Sequence, residues 1–190
     1  MIIIFGGAFN PPTIAHYEIA KKLISDFKPD KFIFVPVSGK YTRKEMAPFY
    51  MRYDMVEIIA NKLGAYVSAI EDEGPYMGTY YILNSLKEIE NDNDVYFVMG
   101  ADNLDYLDDW IEAEKLVDEY KFIILPREGY DVNKKIEEKF NDHKDNFFVV
   151  DLKIDVSSTI FRNTHDKEIL DCDVLEYIKE FKLYGVVDYD

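Results

Sequence analysis

The chain has 190 residues, 48% of them hydrophobic, which suffices for one domain with a substantial core and excludes a disordered chain. Its 37 acidic and 22 basic residues leave a formal charge of −15, and the resulting field repels polyanions, excluding nonspecific binding of nucleic acid or attraction to anionic lipid. The single cysteine, Cys172, excludes an intrachain disulfide framework, fits a reducing cytoplasm and is expected to be partly buried; no apolar stretch reaches the ~20 residues of a membrane helix.

Met1-Phe5 is an apolar run with no basic region before it, so it reads as a fully buried parallel strand and not as a signal peptide. An amphipathic helix follows, running to about Phe27. Lys31-Val37 is a second strand, and after a polar loop to about Ala47 the pattern predicts a helix over Phe49-Leu63. Ala65-Ile70 reads as a third strand, Thr79-Ile89 as a helix and Val95-Met99 as a short buried strand. Beyond the segment Leu104-Val117 come a strand at Tyr120-Leu125, a helix at Asp131-Phe140 and a last strand at Phe147-Val150. The tail from Asp155 reads as two helices, one from Ser157 through Arg162 onward and one over Asp173-Phe181.

Strands alternating with helices over this length predict an α/β fold: a doubly wound, mainly parallel Rossmann-like sheet with right-handed crossovers, helices on both faces and a C-terminal helical tail. The chain is expected to be a single domain over 1–190, its helical tail from about 155. Ligands in such sheets bind at the carboxyl ends of strands near the point where the strand order reverses. The informative turns are therefore those after Phe5, Val37, Ile70, Met99 and Leu125.

The first of these turns is Gly6-Gly7-Ala8-Phe9-Asn10-Pro11-Pro12-Thr13-Ile14-Ala15-His16. Glycines let a backbone approach a ligand closely, and the unpaired N–H groups of a helix start favour a phosphate. Thr13 and His16 are three apart, so they share a face of the first helical turn. The segment resembles the (T/H)xGH signature of the nucleotidyltransferase superfamily and is most similar to its nicotinate (nicotinamide) mononucleotide adenylyltransferases. Ala8 stands where a hydroxyl is common, Ala15 where bacterial members carry glycine, and Thr13 where the first histidine is often found.

Further segments carry the same resemblance. Val156-Ser157-Ser158-Thr159-Ile160-Phe161-Arg162 places three hydroxyls at a helix start with an arginine one turn in, a capping or phosphate pattern that resembles the family's ISSTxxR. Met99-Gly100-Ala101-Asp102-Asn103-Leu104 follows a strand, and a carboxylate there can accept hydrogen bonds from ribose hydroxyls; with the lone tryptophan, Trp110, it resembles GxDxxxxxxxW. Lys40 and, twelve positions on, Arg52 resemble PHK…R, although Ser38-Gly39 replace the proline and histidine and Arg43 and Lys44 compete with Lys40 in the same loop. Gly74-Pro75-Tyr76-Met77-Gly78-Thr79-Tyr80 occupies the place of an S-Y-T loop with an offset, and Leu125-Pro126-Arg127-Glu128-Gly129-Tyr130 resembles an R-P-G-Y turn with Glu128 for proline. Leu183-Tyr184-Gly185 resembles the family's LYG ending and reads as packing.

The resemblance implies an adenylyltransferase of NAD biosynthesis that joins ATP to nicotinate mononucleotide and releases pyrophosphate. Nicotinamide mononucleotide remains open as the preferred substrate. It assigns catalysis to His16, Thr13 and Arg162. ATP would meet Gly6, Gly7, Ala8, Phe9, His16, Gly100, Asp102, Ser157, Ser158, Thr159 and Arg162, and the mononucleotide Lys40, Thr79, Trp110 and Arg127. Mg2+ would bridge the phosphates with few protein ligands. His143 and His165 have no neighbours at metal-ligand spacing and read as surface residues. Phosphopantetheine or glycerophosphate transfer, a noncatalytic nucleotide sensor and a synthetase-like fragment are the competing readings, and oligomerisation stays open.

Overall fold

The computed structural model describes residues 1–39, 46–152 and 158–186. Their elements run β1 (Ile2–Gly7), α1 (Ile14–Phe27), β2 (Lys31–Pro36), α2 (Phe49–Leu63), β3 (Tyr66–Val67), α3 (Thr79–Glu90), β4 (Val95–Gly100), α4 (Ala113–Glu119), β5 (Lys121–Leu125), α5 (Val132–Lys139), β6 (Phe147–Val149), α6 (Ser158–Thr164) and α7 (Cys172–Glu180). The described residues form a six-stranded sheet in the order β3-β2-β1-β4-β5-β6, and every neighbouring pair is parallel. The order reverses between β1 and β4, so their carboxyl ends frame the switch point at which α/β sheets bind ligands.

The apolar run of β1 is buried on both faces, and its alternation divides the core. Ile3 and Phe5 join Leu23 of α1, Ile59 of α2, Phe161 of α6 and Ile178 of α7. Ile2 and Ile4 join Leu83 of α3, Leu116 of α4 and Ile136 of α5 on the other side. Both faces of the sheet are therefore covered, as a parallel sheet requires. The two C-terminal helices pack on the α1/α2 face and bring the chain's last described segment back beside its first turn.

Three expectations change in detail. The third strand shortens to two residues because only Tyr66 and Val67 find partners, Ile33 and Phe34, on the edge of the sheet; the chain then enters a 3₁₀ turn at Ile70–Asp72. The segment after β4 forms two 3₁₀ turns, Ala101–Asp105 and Leu107–Asp109, ahead of α4. Cys172 is exposed at the start of α7, where Lys62 bridges its neighbours Asp171 and Asp173 at 2.6 Å each. Among the described residues no helix is long and apolar enough to cross a membrane.

Candidate active site

A cleft of about 300 Å³ opens over the carboxyl ends of β1, β2 and β4. Gly6, Gly7, Gly100, Thr79 and Trp110, all singled out by sequence, line it together with Glu71, which was not. The two glycines of β1 are favoured by packing as well as by access. A Cβ on Gly6 would lie 3.1 Å from the Phe97 ring, and one on Gly7 would lie 3.0 Å from the Phe9 ring. Phe97 in turn meets Trp110 edge-on, at 6.3 Å between ring centres, and holds the indole at the wall of the cleft. Just before Thr79, Gly78 has φ of 100° and Ile111 only 2.8 Å from where its Cβ would stand, so glycine alone fits.

Beyond β1 the chain turns sharply through Phe9, whose φ of 44° is left-handed, into α1. Thr13 caps this helix and His16 occupies its third position. The Thr13 N–H donates to His16 Nδ1 at 3.0 Å, and Thr13 Oγ1 lies 2.9 Å from the same nitrogen. Nδ1 is thus an acceptor without a proton, which puts the ring proton on Nε2. Burial beside the Phe5 and Phe9 rings lowers the imidazole to about 4, so at neutral pH it is an uncharged N–H donor. Thr13 is 1% exposed, so its part here is to fix the tautomer of His16.

The turn is held from several distant parts of the chain. Arg52, in the first turn of α2 and 0% exposed, donates to Ala8 O at 2.7 Å, Val37 O at 2.8 Å and Ala47 O at 2.9 Å. Sequence linked Arg52 to a substrate-phosphate pattern; in the structure these bonds join three backbone segments, one of them the glycine turn after β1. Arg162 of α6 donates from Nη1 to Asn10 O at 2.6 Å and from Nη2 to Thr159 Oγ1 at 3.1 Å, while Ser158 Oγ donates to Pro11 O at 2.7 Å. The second phosphate motif therefore lies directly against the first. Ser157, like Lys40, Arg43 and Lys44, lies outside the described residues.

On the opposite side, Asp102 is exposed and 3.1 Å from Arg127, so residues assigned to ATP and to the mononucleotide meet in one ion pair. Its 3₁₀ turn is fastened by α5. Lys139 Nζ donates to Asp105 O at 2.8 Å, Leu104 O at 3.3 Å and Asp108 Oδ1 at 2.5 Å, and Lys135 pairs with Asp105 at 2.8 Å. The lysines hold the Asp105 and Asp108 carboxyls below the usual carboxylate range. Sequence reading did not find this support, although two lysines four apart on a helix were the available signal. His143 is half-exposed and bonded to Asp118 at 2.5 Å, away from the cleft.

Comparison with known proteins shows the family to which the chain belongs. Residues 4–164 match the family model described as cytidylyltransferase-like. A probable nicotinate-nucleotide adenylyltransferase of Acholeplasma laidlawii is 35% identical, covering 98% of this chain and 99% of its own length. One from Clostridium acetobutylicum is 34% identical over 95% of this chain and 97% of its own. Among solved structures, Plasmodium falciparum nicotinic acid mononucleotide adenylyltransferase complexed with NaAD superposes with a TM-score of 0.81, at 25% identity and 97% coverage of each chain. The same enzyme complexed with APC gives 0.79, at 25% identity over 97% of this chain and 96% of that one.

Proposed function

The chain belongs to the nicotinate-nucleotide adenylyltransferase family, and we propose that it joins ATP to nicotinate mononucleotide, giving the dinucleotide and pyrophosphate. The observation that carries this reading is a neutral N–H donor, His16, packed on the Phe5 and Phe9 rings beside a cleft walled by Phe5, Gly6, Gly7 and Trp110. A phosphate needs the first feature and a flat pyridine ring the second.

The reaction needs no protein nucleophile. A phosphate oxygen of the mononucleotide attacks the α-phosphorus of ATP, a new P–O bond forms, and the bond to the β-phosphate oxygen breaks with its electron pair leaving on pyrophosphate. The protein supplies position and charge stabilisation. His16 Nε2–H would donate to an α-phosphate oxygen, as would backbone N–H groups around Gly7-Phe9. Arg162, with Ser157, Ser158 and Thr159, would receive the leaving pyrophosphate. Asp102 would accept from the ATP ribose, and Trp110 would stack on the pyridinium, an indole–cation contact worth ~1–2 kcal/mol when desolvated. Thr79, Arg127 and Lys40 would serve the mononucleotide. Magnesium comes with ATP as the counter-ion of its phosphates, and a single cysteine suits work in the cytoplasm.

The reading is tested by pyrophosphate release from Mg·ATP with nicotinate mononucleotide, nicotinamide mononucleotide and phosphopantetheine in separate reactions. Release with nicotinate mononucleotide above the other two is the expected result. Release with phosphopantetheine alone, or with none, overturns it.

A further inference from the structure

The Leu183-Tyr184-Gly185 ending reads as packing by sequence, yet its tyrosine reaches the phosphate turn. Tyr184 sits in a 3₁₀ turn with φ of 57°, a left-handed conformation that a non-glycine residue holds only under constraint. Its ring packs edge-on against Phe161, at 5.9 Å between centres, and its hydroxyl donates to Asn10 Oδ1 at 2.8 Å, across 174 residues of chain. Asn10 is 3% exposed. Its Oδ1 also accepts the Ala47 N–H at 3.1 Å, and its carbonyl accepts Arg162 Nη1 at 2.6 Å.

This convergence surrounds a second constrained residue. Phe9 precedes Asn10 with its own left-handed backbone, a conformation costing a bulky side chain about 1–2 kcal/mol and persisting only where the surroundings dictate it. On one side of Phe9, Arg52 holds Ala8 O; on the other, three donors hold Asn10. Two of those three come from groups that also serve elsewhere, since Arg162 belongs to the pyrophosphate motif and the Ala47 N–H opens the way to α2. The Tyr184 hydroxyl carries one proton, and that proton is directed at this turn.

We infer that Tyr184 is a positioning residue of the adenylyl-transfer site: through its hydroxyl it fixes Asn10, and with Asn10 the Phe9-Pro11 turn from which the α-phosphate is held. The inference rests on the reading that this turn receives ATP. The C-terminal segment thus sets the geometry of the first turn while touching no substrate. Burial keeps the phenol well above its ordinary range, so the hydroxyl remains a donor throughout mildly alkaline solution.

Tyr184→Phe keeps the ring against Phe161 and removes only the hydroxyl. With Mg·ATP and nicotinate mononucleotide, kcat falls about tenfold, as expected when one hydrogen bond ceases to orient a reacting group, while KM for the mononucleotide stays within about twofold. The thermal midpoint shifts by no more than roughly 3 °C. A kcat within about twofold of wild type overturns the inference, as does a loss of kcat matched by an equal loss of folded protein. In an Asn10→Ala background the same substitution adds nothing, because the hydroxyl acts through Asn10; an undiminished further loss overturns it. Should wild type release no pyrophosphate with either pyridine mononucleotide, the adenylyltransferase reading fails by itself. The Tyr184 inference is then decided by calorimetry with a non-hydrolysable ATP analogue and magnesium, where weakening of about fivefold in Tyr184→Phe upholds it and unchanged affinity overturns it.

Discussion

Two regions face each other across the switch point, and they are held in opposite ways. Around Asn10 the chain is fixed from within: the guanidinium of Arg52 is wholly buried on three carbonyls, Thr13 is closed over His16, and donors from Ala47, Arg162 and Tyr184 converge on one residue. Around Asp102 the fastening is external, a set of lysines from α5 on the carbonyls and carboxylates of two 3₁₀ turns, and an Asp102–Arg127 pair whose side chains are 56% and 62% exposed. Buried hydrogen bonds ignore salt and resist strain, whereas exposed ion pairs are screened and contribute little. On the proposed function, the end of the site where charge would move is thus the rigid one. The end that would accept the ribose is the adjustable one.

The largest effect should come from the rigid side. His16→Ala removes a preorganised donor from the place where negative charge shifts, and such losses cost about 3–4 kcal/mol of activation free energy. Turnover is expected to fall a hundredfold or more, with KM for the mononucleotide little changed, in a steady-state pyrophosphate assay. Turnover near that of wild type would remove His16 from the mechanism.

Arg52→Met tests whether the same turn depends on a buried clamp. The substitution keeps an apolar stem of similar length but leaves the Ala8, Val37 and Ala47 carbonyls without that donor group. Unsatisfied buried acceptors cost about 1–3 kcal/mol each and relax partly, so a loss of about 3 kcal/mol is expected in the urea midpoint. Lys139→Met, which removes the donor from three acceptors on the other side, should cost less, about 1 kcal/mol, because the ammonium is only partly buried and water can reach the exposed Asp108 carboxylate it leaves. Equal losses in the two variants would erase the contrast.

The pH dependence of stability offers a third measure. His16 has a folded value of about 4 against 6.5 unfolded, so between these limits the unfolded chain binds a proton that the folded chain refuses. Stability therefore falls as pH drops through this window and levels below it. Allowing for the partly exposed rim of the ring, the loss between pH 7 and pH 5 is about 1.5 kcal/mol. Urea denaturation of wild type beside His16→Asn isolates it; an equal loss in the variant would assign the effect to the carboxylates instead.

The contrast between the two regions also separates what sequence could reveal from what it could not. Strand and helix placement followed from periodicity, and α2 falls at Phe49–Leu63 as the pattern predicts, because local apolar spacing decides which face is buried. The short β3 did not, since after Val67 the chain itself leaves the sheet edge for the 3₁₀ turn at Ile70–Asp72, which no local pattern records. The Gly6-His16 turn was legible as a candidate site through its glycines and helix start. Its supports were not: the carbonyls on Arg52 come from residues 8, 37 and 47, and the hydroxyl on Asn10 comes from residue 184. An arginine on a helix looks the same in sequence whether it faces a ligand or three carbonyls; only the fold brings those acceptors to it.

The smallest effect tests the adjustable side. Arg127 and Asp102 are both exposed, and an exposed pair contributes about 0–1 kcal/mol, diminished by salt. Arg127→Ala should therefore leave the thermal midpoint within roughly 1 °C of wild type. Its consequence should appear in binding: in the free protein Arg127 occupies one oxygen of the carboxylate that would accept the ribose hydroxyls, so its removal changes KM for ATP by less than about threefold, and the change shrinks as salt is raised. A KM shift of more than about tenfold that persists at high salt would mean that this loop is as firmly preset as the turn around Asn10, and the division between a rigid chemical end and an adjustable recognition end would fail.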